Sequence, residues 1–246
     1  MANNIEVRRA ALPKAWLAWS TGKDSAWALH TVRQNCGTSR DWDCAFDVVA
    51  LLTTVNRAQH RVAMHAVRES LLEMQAAAAG LPLVKVPIPS PCPNEVYEQA
   101  MSDAMLRAKT EGVRHVIFGD LFLEDIREYR ERQLALCEMI PLFPLWGRDT
   151  RKLAEDMLAG GLSAYLTCVD PRQLDRSFAG RRFDRDLLAA LPRPVDPCGE
   201  NGEFHTFACA GPMFREEIPV TPGEIVERDG FVFADLLPRT AAVAAS

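Results

Sequence analysis

Residues 15–25, AWLAWSTGKDS, join a short apolar run to a polar loop, and this stretch decides the fold. The apolar run from Ala15 to Trp19 predicts a buried strand, and the segment from Lys23 to Arg33 predicts the helix that follows it. The small residues between them let the backbone turn tightly, while the start of a helix presents unpaired N–H groups and a favourable dipole to an anion. A strand that passes through such a loop into a helix therefore predicts a phosphate-binding site.

The loop matches neither of the two common nucleotide-binding motifs. A Walker A loop has a glycine five residues before its Gly-Lys pair and a Ser or Thr after it, but Leu17 and Asp24 stand at these positions. The dinucleotide fingerprint has three glycines, whereas Gly22 is the only glycine of this loop. The loop still offers hydroxyl donors and a positive charge; an ordinary strand-to-helix turn capped by Ser20 is the alternative. Its candidate phosphate-binding residues are Ser20, Thr21, Gly22, Lys23, Asp24 and Ser25.

Short apolar runs and amphipathic segments alternate along the first half of the chain. The runs Val48–Val55, Leu83–Val86 and His115–Phe118 predict three more strands. Strands that alternate with helices predict a parallel, doubly wound sheet, and we expect this α/β domain to occupy residues 1–140. The helices predicted between and after these strands are Arg61–Ala79, a segment capped by Asn94 and ended by Gly112, and Glu124–Glu138.

The pattern changes beyond residue 140. Thr150 is a candidate cap for a short helix that reaches about Ala159, and Ser163–Val169 predicts a strand. The Asp229-Gly230 pair lies between β-rich flanks, which is a strong hairpin signal. We therefore expect a second, smaller α+β domain over residues 141–246.

Composition and charge exclude several classes of protein. The 246 residues are 48 % hydrophobic, enough for a sizeable core, and the net charge of −5 disfavours a nucleic-acid partner held by a basic surface. The seven cysteines include no C-x-x-C pair, so neither a zinc ribbon nor a dithiol redox site is indicated. Neither a signal peptide nor an apolar run of about eighteen residues is apparent. We therefore expect a cytoplasmic protein with no membrane partner.

Residues 119–130, GDLFLEDIREYR, follow the predicted fourth strand at its carboxyl end. Ligands of open parallel sheets bind beyond the carboxyl ends of the strands, so this segment should face the phosphate loop. Asp120 could coordinate Mg²⁺, while Arg127 and Arg130, one turn apart, could contact phosphate or an acidic substrate. The alternative is a solvated helix held by ion pairs. The candidate nucleotide contacts outside the phosphate loop are Thr53, Gly119, Asp120 and Arg127.

Residues 196–207, DPCGENGEFHTF, form the most unusual stretch of the chain. Their glycines permit a tight loop. If a strand begins at Phe204, Glu203 and His205 face the same side of it. A carboxylate beside an imidazole could deprotonate an incoming amine, with Glu200 close by in sequence. A hairpin turn with a surface histidine is the alternative, and a thiol nucleophile at Cys198 is conceivable.

The phosphate loop is similar to the S-G-G-x-D-S signature of the PP-loop ATP pyrophosphatases, the adenine nucleotide alpha hydrolase superfamily, with Thr21 in place of one glycine. Taken together, the clusters resemble the diphthine–ammonia ligase family. The matching stretches are Ser20–Ser25, Met64–His65, Phe118–Arg130, Pro144–Trp146 and Asp196–Phe207.

This resemblance implies a HUP-type, Rossmann-like nucleotide domain followed by a smaller family-specific domain. It implies a ligase that uses ATP and Mg²⁺ to adenylate a carboxylate, releases pyrophosphate, and amidates the acyl group with ammonia. The carboxylate would belong to a small molecule or a protein side chain, such as diphthine on an elongation factor, and a homodimer is compatible with the sequence. The residues implied to be catalytic are Lys23, Glu200, Glu203 and His205, and those implied to hold Mg²⁺ are Asp24 and Asp120.

Two rival functions remain open at the level of sequence. One is a PP-loop enzyme that modifies RNA, such as a thiolase or a lysidine-type ligase. Thiolases usually need a C-x-x-C pair or a persulfide-carrying cysteine, and nucleic-acid enzymes need a basic face. The other is a sensor that binds ATP without turnover. A sensor would not need the acid–base cluster between Glu200 and His205.

Overall fold

The computed structural model describes residues 12–34, 45–57, 61–62 and 67–239. The Met64–His65 match to the ligase family lies outside the described residues.

Six strands of this described part form the first sheet: β1 (Lys14–Ala18), β2 (Asp47–Asn56), β3 (Arg61–Val62), β4 (Leu83–Ile88), β5 (His115–Ile117) and β6 (Ile140–Leu142). Five of them run parallel, in the order β4–β2–β1–β5–β6. The short β3 pairs antiparallel with the end of β2.

Helices cover both faces of this sheet, as parallel connections require. The α-helices of the described residues are α1 (Lys23–Arg33), α2 (Glu69–Ala79), α3 (Asn94–Thr110), α4 (Glu124–Leu136), α5 (Thr150–Ala159) and α6 (Arg185–Ala190). Successive side chains of a strand point to opposite faces, so Leu17 joins one hydrophobic core and Trp16 the other. Helices α1 and α2 pack in the core of Leu17, and α3 and α4 in the core of Trp16.

The second sheet is antiparallel and contains β7 (Ser163–Val169), β8 (Arg182–Phe183), β9 (Phe204–Ala210), β10 (Val220–Arg228) and β11 (Phe231–Pro238). Its central strand, β7, pairs with β9 along one edge and with β11 and β8 along the other. Inner residues of this sheet, such as Leu166 and Phe207, belong to the same core as Leu17.

The predicted fold class is confirmed: a parallel sheet flanked by helices is followed by a second, antiparallel sheet. The predicted hairpin is also confirmed, because Asp229 and Gly230 both have positive φ, 53° and 80°, between β10 and β11. This conformation matches the twist of the flanking strands.

Three local predictions were wrong. The helix predicted from Arg61 begins at Glu69, because Arg61 and Val62 instead pair with the end of β2. Asp149, rather than Thr150, caps α5 by accepting a hydrogen bond from the backbone N–H of Lys152 at 2.8 Å. Asn94 is not a cap but the first residue of α3, and Pro93 precedes it in an extended conformation.

Candidate active site

A cavity of about 360 Å³ lies at the carboxyl edge of the parallel sheet, where this fold usually binds its ligands. The three sequence clusters meet in its wall, since the phosphate loop, the turn after β5 and the segment before β9 all contribute lining residues. The predicted site residues that line it are Ser20, Gly22, Lys23, Asp24, Ser25, Thr53, Gly119, Asp120, Glu200 and His205. Thr21, Arg127 and Glu203 do not line it.

The phosphate loop is held by its own hydroxyls and by β9. The Oγ atoms of Ser20 and Ser25 lie 3.1 Å apart, and Ser25 also donates to the carbonyl of Gly22 at 3.0 Å. The backbone N–H of Lys23 donates to Oγ1 of Thr206 at 3.0 Å. Gly22, not Ser20, is the N-cap residue of α1, so the turn is not the ordinary serine-capped one.

Thr21 takes the left-handed conformation with φ of 71°. That region is strained for a β-branched residue and favours glycine. Two hydrogen bonds hold its carbonyl: the N–H of Ala208 donates at 2.9 Å and Nε2 of Gln75 at 3.0 Å. Its Oγ1 is buried and accepts or donates no hydrogen bond within the described part of the protein. Thr21 therefore helps to fix the conformation of the loop and does not itself line the cavity.

Lys23 supplies a buried positive charge in the cavity wall, with only 1 % of the residue exposed. Its Nζ donates to both carboxylate oxygens of Asp24, at 2.9 and 2.8 Å, and to the carbonyl of Cys198. The rings of Phe183 and Phe204 lie 5.5 and 5.6 Å from Nζ. Burial is the largest influence and lowers the pKa of Lys23, but Asp24, Cys198 and Glu200 together hold it above its ordinary value. The side chain is therefore a cation.

Gly119 allows β5 and the phosphate loop to approach closely. A Cβ at this position would lie 2.9 Å from the carbonyl carbon of Asp24 and 2.9 Å from the nitrogen of Ser25. Both are backbone atoms at the start of α1, which a larger residue would have to displace. The prediction that Gly119 belongs to the site thus has a steric basis.

Burial shifts the pKa values of Glu200 and His205, which both line the cavity. Burial raises the pKa of Glu200 to about 7, with further increases from Asp24 and Asp120 and an opposing hydrogen bond from the N–H of Leu121 at 2.7 Å. Burial, with a smaller contribution from Lys23, lowers the pKa of His205 to about 4. Glu200 can therefore exchange a proton near neutral pH, and His205 is a neutral imidazole there.

Glu203 lies behind the cavity and organises the loop that precedes β9. Its Oε1 accepts hydrogen bonds from the N–H of Asp196 at 2.8 Å and from Nδ2 of Asn201 at 3.1 Å. Because β9 begins at Phe204, Glu203 is in the preceding turn, and the strand alternation that was expected to align it with His205 does not reach it. Its Oε2 is buried without a hydrogen bond among the described residues.

The two arginines of α4 have different environments. The Nε of Arg127 donates to Glu131 at 2.7 Å, and its guanidinium lies 4.9 Å from the ring of Phe143 and 4.8 Å from that of Trp146. Arg127 thus follows the ion-pair alternative, packed away from the cavity. Arg130 lines the cavity and donates to both carboxylate oxygens of Asp120, at 2.6 and 3.0 Å.

Sequence reasoning missed two residues that support the loop. Gln75 is fully buried and joins α2 to the phosphate loop and to β9. Thr206 was noted only as part of a strand, although it binds the backbone of Lys23. Neither has a local motif that marks it, because each acts on a segment distant in the chain.

Two features are absent from the described residues. No group of three or more His, Cys, Asp or Glu side chains is arranged to hold a metal ion. None of the helices in the described ranges combines the length and the apolar character that crossing a bilayer requires.

Comparison with known proteins finds two family models and several curated proteins that match parts of the chain. The family model for the diphthamide synthase N-terminal domain matches residues 13–141, and that for the diphthamide synthase C-terminal domain matches residues 149–235. Similar curated proteins are named diphthine–ammonia ligase. One from Schizosaccharomyces pombe is 37 % identical over 87 residues, which cover 34 % of this chain and 14 % of that protein. One from Bos taurus is 25 % identical over 178 residues, covering 66 % of this chain and 67 % of that protein. The human protein is 26 % identical over 148 residues, covering 58 % of this chain and 55 % of that protein.

Proposed function

The chain belongs to the diphthamide synthase family, and from this membership and the geometry of the cavity we propose that it is an ATP-dependent, amide-forming ligase. It adenylates a carboxylate, releases pyrophosphate, and converts the acyl-adenylate to an amide with ammonia. The observation that carries the proposal is the convergence of the phosphate loop, Asp120 and the pair Glu200 and His205 on one cavity.

The phosphate loop is the proposed site for the β- and γ-phosphates of ATP. The start of α1 offers backbone N–H groups and the positive end of the helix dipole. Ser20 and Ser25 add hydroxyl groups, and the buried cation of Lys23 offsets negative charge on the departing pyrophosphate. Thr53 and Gly119 border the same cavity, and we assign them to the nucleotide as well.

Mg²⁺ is proposed to enter with ATP. This ion keeps several waters and usually takes one or two protein carboxylates beside the phosphates. Asp24 and Asp120 both line the cavity, so the donor set fits such a shared site, although each carboxylate also contacts a cation of the protein. When bound, Mg²⁺ would offset the charge of the phosphates.

The proposed reaction has two steps. An oxygen of the substrate carboxylate attacks the α-phosphorus, and the bond to the β-phosphate breaks as pyrophosphate leaves. Ammonia then attacks the acyl carbon, the bond to AMP breaks, and the nitrogen gives up one proton. Glu200 is the proposed acceptor of that proton, since it lines the cavity and its pKa lies near 7. Neutral His205 lines the same cavity and could accept a hydrogen bond from the ammonia. Glu203 supports the reaction by holding the loop that carries Glu200.

Several further assignments belong to this proposal. Residues 1–140 would hold ATP and residues 141–246 the acyl site. The names of the relatives make diphthine the first acceptor to test. The cysteines of the described ranges are free thiols, which supports a cytoplasmic location.

The proposal is tested by product analysis of purified protein with Mg-ATP, ammonium and either diphthine-bearing elongation factor or a cell extract. We expect AMP and pyrophosphate, dependent on the acceptor, and their loss in Lys23→Met. The matched control is Lys152→Met, which removes an exposed lysine on α5 and should retain full activity. Formation of ADP and phosphate would contradict the proposal, and ATP binding without turnover on any acceptor would favour the sensor.

A further inference from the structure

The loop between α6 and β9, residues 191–203, brings two polar groups to the cavity, although it has no regular secondary structure of its own. The carbonyl of Cys198 accepts a hydrogen bond from the ammonium of Lys23. The carboxylate of Glu200 accepts one from the N–H of Leu121 at 2.7 Å. The backbone of such a loop lacks the hydrogen bonds of a helix or a strand, so its N–H groups need other partners. Those partners decide where both polar groups point.

Asp196 is the residue that supplies these partners. Its Oδ2 accepts hydrogen bonds from the N–H of Cys198 and from that of Glu200, both at 3.0 Å. Its backbone carbonyl accepts one from the N–H of Gly199 at 2.9 Å. Pro197 has no N–H, so every backbone donor of residues 197–200 points at Asp196. Aspartate side chains commonly hold turns in this way.

The same hydrogen bonds set the direction of the Cys198 carbonyl. In a trans peptide the carbonyl oxygen and the following N–H point in opposite directions. Because the N–H of Gly199 points at Asp196, the carbonyl of Cys198 points away from it and meets the ammonium of Lys23. Asp196 itself is not among the residues that line the cavity, so its effect on a bound substrate must pass through these neighbours.

From this arrangement we propose that Asp196 is a positioning residue of the ligase reaction. Through hydrogen bonds to the loop backbone, it places the Cys198 carbonyl against Lys23 and the Glu200 carboxylate in the cavity. The inference rests on the proposed ligase function and adds a residue outside the cavity to it. The position of the accepting oxygen, not its negative charge, is what the loop requires, because both donors are neutral N–H groups that an amide oxygen also binds.

Two substitutions separate the position of this oxygen from its charge. Asp196→Asn removes the charge but keeps an oxygen at the same place, whereas Asp196→Glu keeps the charge on a side chain that is one methylene longer. Misplacement of a reacting group by about 1 Å can cost about 100-fold in rate. We therefore expect kcat for AMP formation to fall about 100-fold in Asp196→Glu, with a smaller change in the KM for ATP, and to stay within about tenfold of the wild type in Asp196→Asn.

The pH profile of turnover is a readout that a loss of stability alone does not move. Burial raises the pKa of Glu200 to about 7. In Asp196→Glu the displaced loop should return Glu200 towards water, so the midpoint of the rise in turnover should fall below the wild-type midpoint, whereas Asp196→Asn should keep it. The charged groups that face Glu200 and remain in both variants are Asp24, Asp120 and Lys23.

The matched control is Asp175→Ala. Asp175 is exposed, lies outside the cavity, and accepts a hydrogen bond from the N–H two residues ahead, that of Ser177, at 2.9 Å. Asp196 makes the same kind of contact with Cys198. The control should keep the kcat and the pH midpoint of the wild type.

Amide hydrogen exchange of the full chain without ATP tests the same contacts independently of turnover. The N–H groups of Cys198 and Glu200 should exchange at least about tenfold faster in Asp196→Glu than in the wild type and in Asp196→Asn. Wild-type kcat and pH midpoint in Asp196→Glu, or an equal loss of activity in the two variants, would overturn the inference. Failure of the ligase proposal would look different: pyrophosphate release would be absent already in the wild type, while the exchange rates would still depend on residue 196.

Discussion

Replacement of Gln75 by leucine tests whether one buried amide holds the phosphate loop in its conformation. Nε2 of Gln75 donates to the carbonyl of Thr21 at 3.0 Å and to that of Ala208 at 2.6 Å, while Oε1 accepts from the indole N–H of Trp19 at 2.8 Å. The side chain is fully buried. Leucine has a similar volume, so the change removes three hydrogen bonds without opening a large cavity.

The expected loss of unfolding free energy follows from the groups left behind. A buried donor or acceptor that loses its partner costs about 1–3 kcal/mol. The carbonyl of Thr21 still accepts a hydrogen bond from the N–H of Ala208, so the cost of losing Gln75 there lies at the lower end of this range. The indole N–H of Trp19, in contrast, loses the acceptor it has in this structure. Summed conservatively, Gln75→Leu should destabilise the protein by about 3 kcal/mol, a large share of a typical stability of about 5–15 kcal/mol.

Urea denaturation at pH 7 measures this loss, and ATP affinity measures its effect on the loop. We expect Gln75→Glu to be worse than Gln75→Leu, because its carboxylate would face two carbonyl oxygens. The matched control is Gln99→Leu, since Gln99 is exposed and its amide donates to the exposed side of α3 at Asp103, and it should change stability by less than about 0.5 kcal/mol. If the unfolding free energy of Gln75→Leu lies within about 1 kcal/mol of the wild-type value, the amide does not hold the loop and the reasoning fails.

Three further predictions concern the site itself. Gly119→Ala should weaken ATP binding at least about tenfold, since the added carbon would lie 2.9 Å from backbone atoms of the loop. The control Gly223→Ala, whose added carbon meets mainly the flexible side chain of Leu237 at 3.3 Å, should leave ATP affinity unchanged, and equal affinities of the two variants would contradict the steric argument. Turnover should rise with a midpoint near pH 7 as Glu200 loses its proton, and Glu200→Gln should abolish that rise and lower kcat by about 100-fold; a rise that persists in the variant would assign it to another group. The folded protein keeps His205 neutral, so the unfolded chain binds more protons below pH 6.5, and the unfolding free energy falls as the pH drops towards 4. In denaturation curves, His205→Gln should lose less stability over this pH range than the wild type, and an identical loss in both would refute the prediction.

Local signals in the sequence were sufficient where neighbours in the chain determine the structure. The apolar run before the phosphate loop and the helix after it lie within one residue of their predicted bounds, because burial pattern and turn residues act over a few positions. The Asp229-Gly230 hairpin was predictable for the same reason. Arg61 is the contrary case: the helical spacing around it is real, but pairing with the end of β2 decides its conformation.

The side chains of the site were less predictable than its segments. Arg127 and Arg130 are one turn apart on α4 and have the same chemistry, so the sequence could not separate them. Packing separates them, because Phe143 and Trp146 occupy the space around Arg127 and leave Arg130 beside Asp120. Phe143 and Trp146 follow β6 in the chain, so their position beside Arg127 depends on tertiary packing and not on the sequence of α4.

The phosphate loop shows why a motif alone does not determine a binding site. Thr21 occupies a backbone conformation that favours glycine, and the hydrogen bonds that hold it come from Gln75 and from Ala208 of the second sheet. Thr206 binds the next segment of the loop, and the carbonyl of Cys198 contacts the ammonium of Lys23. The second sheet therefore does more than cover the cavity, because hydrogen bonds from β9 hold the loop at Thr21 and Lys23. The conformation of the loop thus depends on β9 and Gln75 as well as on its own sequence.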